Sequence, residues 1–222
     1  MSRREDVPVG EIIRNAIVFN ISHWRDEGMS TDNLFAEVEG LFTLLEERQI
    51  RYLLVGGIAL LKYVEGRNTE DLDLIVALGS LRSLPEIEVT SENEDFVHGT
   101  LGDLKVDLLL TRNPLFDKVQ REHRTMARFA GRDIPCATVE GLLLLKLYAL
   151  PSLYRQGNFA RVNLYEGDVA ALLQAYQPPL EPLFAELAAH LSAGDLRSIR
   201  EIVQEIETRL ARFRRGLGEP AS

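Results

Sequence analysis

Residues 52–76, YLLVGGIALLKYVEGRNTEDLDLIV, decide the fold and contain most of the candidate site. Residues 52–55 are a short apolar run of strand type, Gly56 and Gly57 interrupt it, and residues 58–63 have helical spacing. This order predicts a strand, a glycine turn and a helix. Glycines let the backbone turn tightly and approach a ligand, and the free N–H groups of a new helix favour phosphate. The Gly-Gly segment is therefore either a phosphate-binding turn or simply a turn.

Two aspartates follow in the same stretch. Asp71 and Asp73 alternate with apolar residues, so on a strand both carboxylates point to one face, roughly 7 Å apart along the backbone. A third acid, Asp107, lies in the apolar run 104–110, which has the pattern of another strand. Three carboxylates beside apolar strands repel one another and resist desolvation unless cations neutralise them. The pattern predicts a magnesium or manganese site, and the alternative is a solvated strand face.

These positions resemble the DNA polymerase beta-type nucleotidyltransferase superfamily, which has a Gly-Gly turn, an Asp-x-Asp pair and a separate aspartate. Residues 67–73, RNTEDLD, further resemble the Arg-x-Thr-x-Asp-x-Asp form of the AbiEii-like nucleotidyltransferases of bacterial toxin–antitoxin systems. Residues 140–150 look like the family's lysine helix, and residues 168–173 look like its final aspartate helix. The resemblance spans residues 52–173, but Gly57 stands where many relatives have serine, and residues 163–167 depart from the pattern.

The resemblance implies a set of site residues. The metal ligands would be Asp71, Asp73 and Asp107, with Mg²⁺ or Mn²⁺ as the cofactor. The nucleoside triphosphate would be bound by the glycine turn, the Arg-x-Thr motif and the two downstream segments, that is by Gly56, Gly57, Arg67, Thr69, Lys146 and Asp168. Lys146 would also act in catalysis.

Structural alternatives exist for three of these residues. Lys146 lies among leucines, so its stem could pack while its ammonium reaches water. Arg67 could pair with a neighbouring glutamate, and Asp168 could cap a helix after Gly167. The four histidines are scattered without metal-ligand spacing, and none is expected at the site.

The remaining pattern predicts an α/β (α+β) fold with a nucleotidyltransferase-type mixed sheet core and a C-terminal helical part. The expected domains are an N-terminal extension (1–30), a nucleotidyltransferase core (31–137) and a helical domain (138–222). Strands are predicted at 52–55, 72–76, 87–90, 96–98, 104–110 and 134–137. Helices are predicted from residue 31, from 138 to 150, and near 167–176, 180–191 and 195–213.

Composition favours a cytoplasmic enzyme. No apolar run approaches the length of a membrane span, and the single cysteine, Cys136, excludes an internal disulfide and is expected to be buried and inert. The net charge of −9 argues against broad nucleic-acid binding. Residues 112–132 are locally basic and could border the active site, although a solvated surface helix is the simpler interpretation.

The expected function is metal-dependent transfer of a nucleoside monophosphate from a nucleoside triphosphate to a macromolecular hydroxyl, with an RNA such as a tRNA 3′ end favoured. The protein would belong to a bacterial toxin–antitoxin or defence system and could bind a cognate toxin or antitoxin protein. One alternative is an antitoxin that nucleotidylates (AMPylates) a protein acceptor. The other is a catalytically silent protein that binds nucleotide or a partner.

Overall fold

The computed structural model describes residues 31–64, 71–129 and 131–216. The predicted N-terminal extension, residues 1–30, lies outside the described residues. The chain divides into two compact units, with the boundary between Thr138 and Val139. The first unit contains the sheet, and the second consists of helices.

Seven strands form one mixed sheet in the first unit, in the order β3-β4-β5-β2-β1-β7-β6. Their bounds are β1 Tyr52–Val55, β2 Asp71–Val76, β3 Glu88–Glu92, β4 Phe96–Leu101, β5 Leu104–Leu110, β6 Arg124–Phe129 and β7 Arg132–Ala137. The β2–β5 and β1–β7 pairs are parallel, and the other neighbours are antiparallel. The predicted mixed α/β class is confirmed.

The helices of the first unit are α1 Thr31–Glu47, α2 Gly56–Leu61 and α3 Pro114–Glu122, with a 3₁₀ helix at Leu78–Ser83. The apolar face predicted for α1 is buried in the core through Val38, Leu41, Phe42 and Leu45. Asn113 caps α3, because its side chain accepts hydrogen bonds from the N–H groups of Leu115 and Phe116.

The central strands are the most buried part of the sheet. All four residues of β1 are buried, and the apolar residues of β2 are fully enclosed. Burying apolar side chains contributes about 25 cal/mol per Å² removed from water, so these strands form a stable frame. The aspartates of β2 are only half-buried, which places their carboxylates at the boundary between this frame and solvent.

The second unit contains α4 Val139–Arg155, α5 Phe159–Tyr176, α6 Leu180–Leu187 and α7 Ala193–Gly216. Helix α4 is buried along most of its length and contacts the other three helices. Helix α5 begins at residue 159 rather than near residue 167, because Asn158 caps it by accepting from the N–H of Arg161. Asp168 therefore lies inside a helix, and the alternative that it caps one is wrong.

The structure corrects one further expectation. Residues 112–132 do not form a single surface helix, because α3 ends at Glu122 and strand β6 starts at Arg124. Within the described residues, no helix combines the length and the apolar character that crossing a bilayer requires.

Candidate active site

The three predicted metal ligands lie on neighbouring parallel strands. Asp73 of β2 pairs in register with Asp107 of β5, and Asp71 lies two residues before Asp73. Side chains two residues apart share a face of a strand, and residues in register on adjacent strands share it too. The fold thus brings Asp71, Asp73 and Asp107 to one face of the sheet, as the spacing predicted.

The glycine turn lies against one of these acids. Gly56 has φ +66°, and a Cβ at this position would overlap Asp73 Oδ2. The backbone N–H of Gly57 donates a hydrogen bond to the same oxygen at 3.4 Å. Glycine is required at residue 56 because a side chain would occupy the space of the carboxylate.

A substitution at Gly56 should therefore displace Asp73. We expect Gly56→Ala to lower the free energy of unfolding by about 1–3 kcal/mol more than Gly157→Ala, the typical cost of overpacking. Gly157 is a matched control, since its φ of +67° is almost the same and a Cβ added there would meet no neighbouring atom within 4 Å. Urea unfolding of both variants measures the difference, and equal losses of stability would contradict the close approach of Gly56 to Asp73.

Asp107 has a partner that the sequence did not predict. His98 of β4 pairs in register with Asp107, and its Nδ1 lies 2.7 Å from Asp107 Oδ1. The expectation that no histidine lies at the site is wrong for His98. A signal was present in the sequence: Gly102 and Asp103 form a short turn between β4 and β5, and counting back from it places residue 98 opposite residue 107.

The donor set fits a hard divalent cation, because carboxylate oxygens on one face are the ligands that Mg²⁺ and Mn²⁺ prefer. Within the described residues, however, no three acid, histidine or cysteine side chains are gathered closely enough to hold an ion. Asp73 Oδ2 accepts a hydrogen bond from the glycine turn, and Asp107 Oδ1 contacts His98.

Two of the predicted nucleotide-binding residues are in the segment just before β2. Arg67 and Thr69 belong to residues 65–70, which lie outside the described residues. The segment connects Val64 to Asp71, so it leads directly into the first predicted metal ligand.

Lys146 and Asp168 form a pair within the helical unit. Lys146 Nζ lies 2.8 Å from Asp168 Oδ2, and their side chains are only 5% and 6% exposed. The ammonium also lies 3.9 Å from the centroid of the Tyr165 ring, within the range of a cation–π interaction. The alternative in which this ammonium reaches water is therefore wrong, because the charge is buried against α5.

The basic segment is largely neutralised by acids. Its cations pair with neighbours at 2.6–3.9 Å, namely Arg112 with Glu94, Lys118 with Glu122, Arg121 with Asp117, Arg128 with Asp133 and Arg132 with Glu46. On the edge strand β6, Arg124, Met126 and Arg128 share the exposed face. Strand β6 thus presents two exposed arginines on one face, and Arg128 is one of the cations that pair with an acid.

Cys136 is buried in β7, and burial raises the pKa of its thiol to about 12. A thiol that stays protonated at neutral pH is a poor nucleophile. This agrees with the expectation from the sequence that Cys136 is buried and inert.

Comparison with known proteins shows which solved structures have a similar fold. No family model matches the chain, and no curated protein matches it. The solution structure of the antibiotic-resistance factor ANT(2'')-Ia matches with a TM-score of 0.50 and 14% identity, over 85% of this chain and 100% of that chain. An antigenic nucleotidyltransferase-like protein from Paracoccidioides brasiliensis matches with a TM-score of 0.46 and 22% identity, over 78% of this chain and 94% of that chain.

A putative nucleotidyltransferase from Thermotoga maritima matches with a TM-score of 0.42 and 12% identity, over 63% of this chain and 98% of that chain. At these identities the similarity concerns the fold alone, and the match at 0.50 carries the conclusion. The chain has a mixed α/β fold similar to that of ANT(2'')-Ia.

Proposed function

We propose that this protein is a nucleotidyltransferase of the polymerase beta type, AbiEii-like, that transfers a nucleoside monophosphate from a nucleoside triphosphate to a hydroxyl group. The observation that carries the proposal is the placement of Asp71, Asp73 and Asp107 on one face of two parallel strands, beside the glycine turn. The similarity of the fold to that of the antibiotic-resistance factor ANT(2'')-Ia is consistent with it.

In the transfer, the acceptor oxygen bonds to the α-phosphorus and the bond from that phosphorus to the bridging oxygen breaks. Pyrophosphate leaves, and the hydroxyl proton passes to solvent. Asp71, Asp73 and Asp107 would hold Mg²⁺ or Mn²⁺, which supplies neutralisation of the triphosphate charge and makes the acceptor hydroxyl easier to deprotonate. The Gly56-Gly57 backbone would bind the phosphate tail, with Arg67 and Thr69 of the adjoining segment as further contacts.

For Lys146 we favour a structural role over contact with the triphosphate. The family resemblance implies that Lys146 meets the triphosphate and that Asp168 orients it. In the structure the ammonium is buried against Asp168 and the Tyr165 ring, so its charge already has partners inside the helical unit. The observed contacts support a buried pair that joins α4 to α5.

The acceptor class that we propose is RNA, with a protein hydroxyl as the alternative. Support comes from the exposed face of β6, where Arg124 and Arg128 lie four residues apart on a sheet edge. Arg128 also pairs with Asp133 at 3.1 Å, in an exposed ion pair that an RNA phosphate would have to replace. Protein nucleotidylation is the second outcome of the test.

The experiment is incubation of the protein with each α-labelled nucleoside triphosphate, Mg²⁺, and either bulk RNA or cell protein. Label that ribonuclease releases and protease does not would identify RNA as the acceptor. Label with the opposite sensitivity would identify protein, and no label with any nucleotide would support a catalytically silent protein. The toxin or antitoxin role is tested separately, by co-expression with the product of the neighbouring reading frame.

The β6 surface gives a specific expectation for the RNA acceptor. Arg124→Gln/Arg128→Gln should weaken RNA modification and lower the slope of log affinity against log salt by about 0.7 for each phosphate that no longer meets an arginine. Arg197→Gln/Arg200→Gln in α7 removes the same charge elsewhere and serves as the control. Filter binding of labelled RNA over a salt series measures the slope. Equal slopes for the two double variants would exclude β6 as the RNA-binding surface.

A further inference from the structure

The hydrogen bond between His98 and Asp107 suggests a role for a residue that the metal-ligand pattern does not include. The two residues are opposite one another on antiparallel strands, and Asp107 is in turn in register with Asp73. A line across three neighbouring strands therefore runs from His98 through Asp107 to Asp73. Strand pairing places His98 next to the acids, so the contact does not depend on a loop.

The imidazole is held in a defined orientation. Its ring is parallel to that of Phe96, with 2° between the planes and 6.4 Å between the centroids. Phe96 packs edge-on against the buried Phe116 of α3 at 5.3 Å. The His98 ring thus lies parallel to a ring that packs on the core, and its Nδ1 meets Asp107 Oδ1 at 2.7 Å.

A carboxylate held at one oxygen has little freedom to rotate. With Nδ1 protonated, His98 donates to Oδ1, fixes the plane of the carboxylate and directs Oδ2 away from the imidazole. Carboxylates that bind metals are themselves hydrogen-bonded by residues around them, and removing such a residue typically costs about 10–100-fold in metal affinity. The geometry of His98 matches this supporting arrangement.

We propose that His98 is a positioning residue that holds the Asp107 carboxylate through Oδ1 and so directs Oδ2 toward the divalent cation. The inference rests on the proposed function, because it needs Asp107 to be a metal ligand. It adds a fourth residue to the site, one that acts through Asp107.

The choice of substitutions follows from the position of Nδ1. In His98→Asn the amide nitrogen is one carbon removed from Cβ, as Nδ1 is, so the hydrogen bond to Asp107 can form again. In His98→Gln the amide nitrogen is two carbons removed from Cβ, as Nε2 is, and His98→Ala has no donor at all. The side chain of His98 is 39% exposed, so these variants are expected to fold, and thermal melting checks that they do.

Binding of Mn²⁺ to the full chain, followed by the electron paramagnetic resonance signal of the free ion, tests the proposal without relying on activity. We expect His98→Ala and His98→Gln to weaken Mn²⁺ binding about 10–100-fold, and His98→Asn to bind within about threefold of wild type. Asp73→Asn is included as a variant of a proposed ligand and should also bind weakly.

The outcomes separate the two proposals. If Asp73→Asn loses Mn²⁺ while His98→Ala binds it as well as wild type or more tightly, the role of His98 is overturned and the metal site stands. If Asp73→Asn binds Mn²⁺ like wild type, both the metal site and the role of His98 are overturned. Equal weakening in His98→Ala and His98→Asn would also contradict the proposal, because the restored donor should rescue binding.

Discussion

Asp73→Asn is expected to reduce nucleotidyl transfer by about a thousandfold or more. Stabilisation of charge by a bound cation is worth several kcal/mol, and each tenfold in rate corresponds to about 1.4 kcal/mol. Asparagine has the same shape as aspartate and can still accept the hydrogen bond from the Gly57 N–H. The fold should therefore be kept, or be slightly stabilised because repulsion among the three carboxylates falls.

Transfer rate and melting temperature of Asp73→Asn are measured on the same preparation. Asp117→Asn is the matched control, since it removes one carboxylate from the same unit at an exposed position on α3. The control should keep wild-type transfer, because an exposed ion pair contributes only about 0–1 kcal/mol to stability. Wild-type transfer by Asp73→Asn would show that this carboxylate is not a metal ligand.

Lys146→Met is expected to lower the free energy of unfolding by about 3–5 kcal/mol, the typical cost of removing one partner of a buried ion pair. Methionine preserves much of the packing of the lysine stem, so the loss comes from Asp168. Its carboxylate is only 6% exposed and would be left without the ammonium 2.8 Å away. If the Lys146 ammonium instead reached water, Lys146→Met would leave the melting temperature unchanged.

The double variant Lys146→Met/Asp168→Leu is the control for this prediction. Removing both charges should recover most of the lost stability, since replacing a buried pair by apolar residues is often neutral or stabilising. Urea unfolding gives the free energies, and wild-type stability of Lys146→Met alone would contradict the buried pair. Titration of the double variant with nucleoside triphosphate then separates the two roles, because unchanged affinity supports the structural role and weakened affinity supports phosphate contact.

The sequence predicted the part of the fold that local patterns specify. Strands β1 and β5 have the predicted bounds, and β2 differs by one residue, because each is a short run rich in apolar residues. Strand β6 was not predicted, since its exposed arginines resemble a helix surface. Its alternating burial arises from pairing with β7 at the edge of the sheet. A pattern that depends on a distant partner is weak in a single sequence.

The same distinction holds for the site. The three acids were predicted because each lies in its own apolar run, and parallel pairing then places Asp73 beside Asp107. The contacts of His98 and Lys146 depend on strand register and on the packing of α4 against α5. The helical spacing of residues 140–150 could show that Lys146 lies in an apolar helix. It could not show that the Lys146 ammonium pairs with the Asp168 carboxylate.

The most direct test of the proposed activity is the fate of two labels. Wild-type protein is incubated with Mg²⁺, RNA or cell protein, and each nucleoside triphosphate labelled at either the α- or the γ-phosphorus. Nucleotidyl transfer predicts that the α-label becomes bound to a macromolecule while the γ-label is recovered in pyrophosphate. Incorporation of the γ-label, or no incorporation of the α-label from any of the nucleotides, would contradict it.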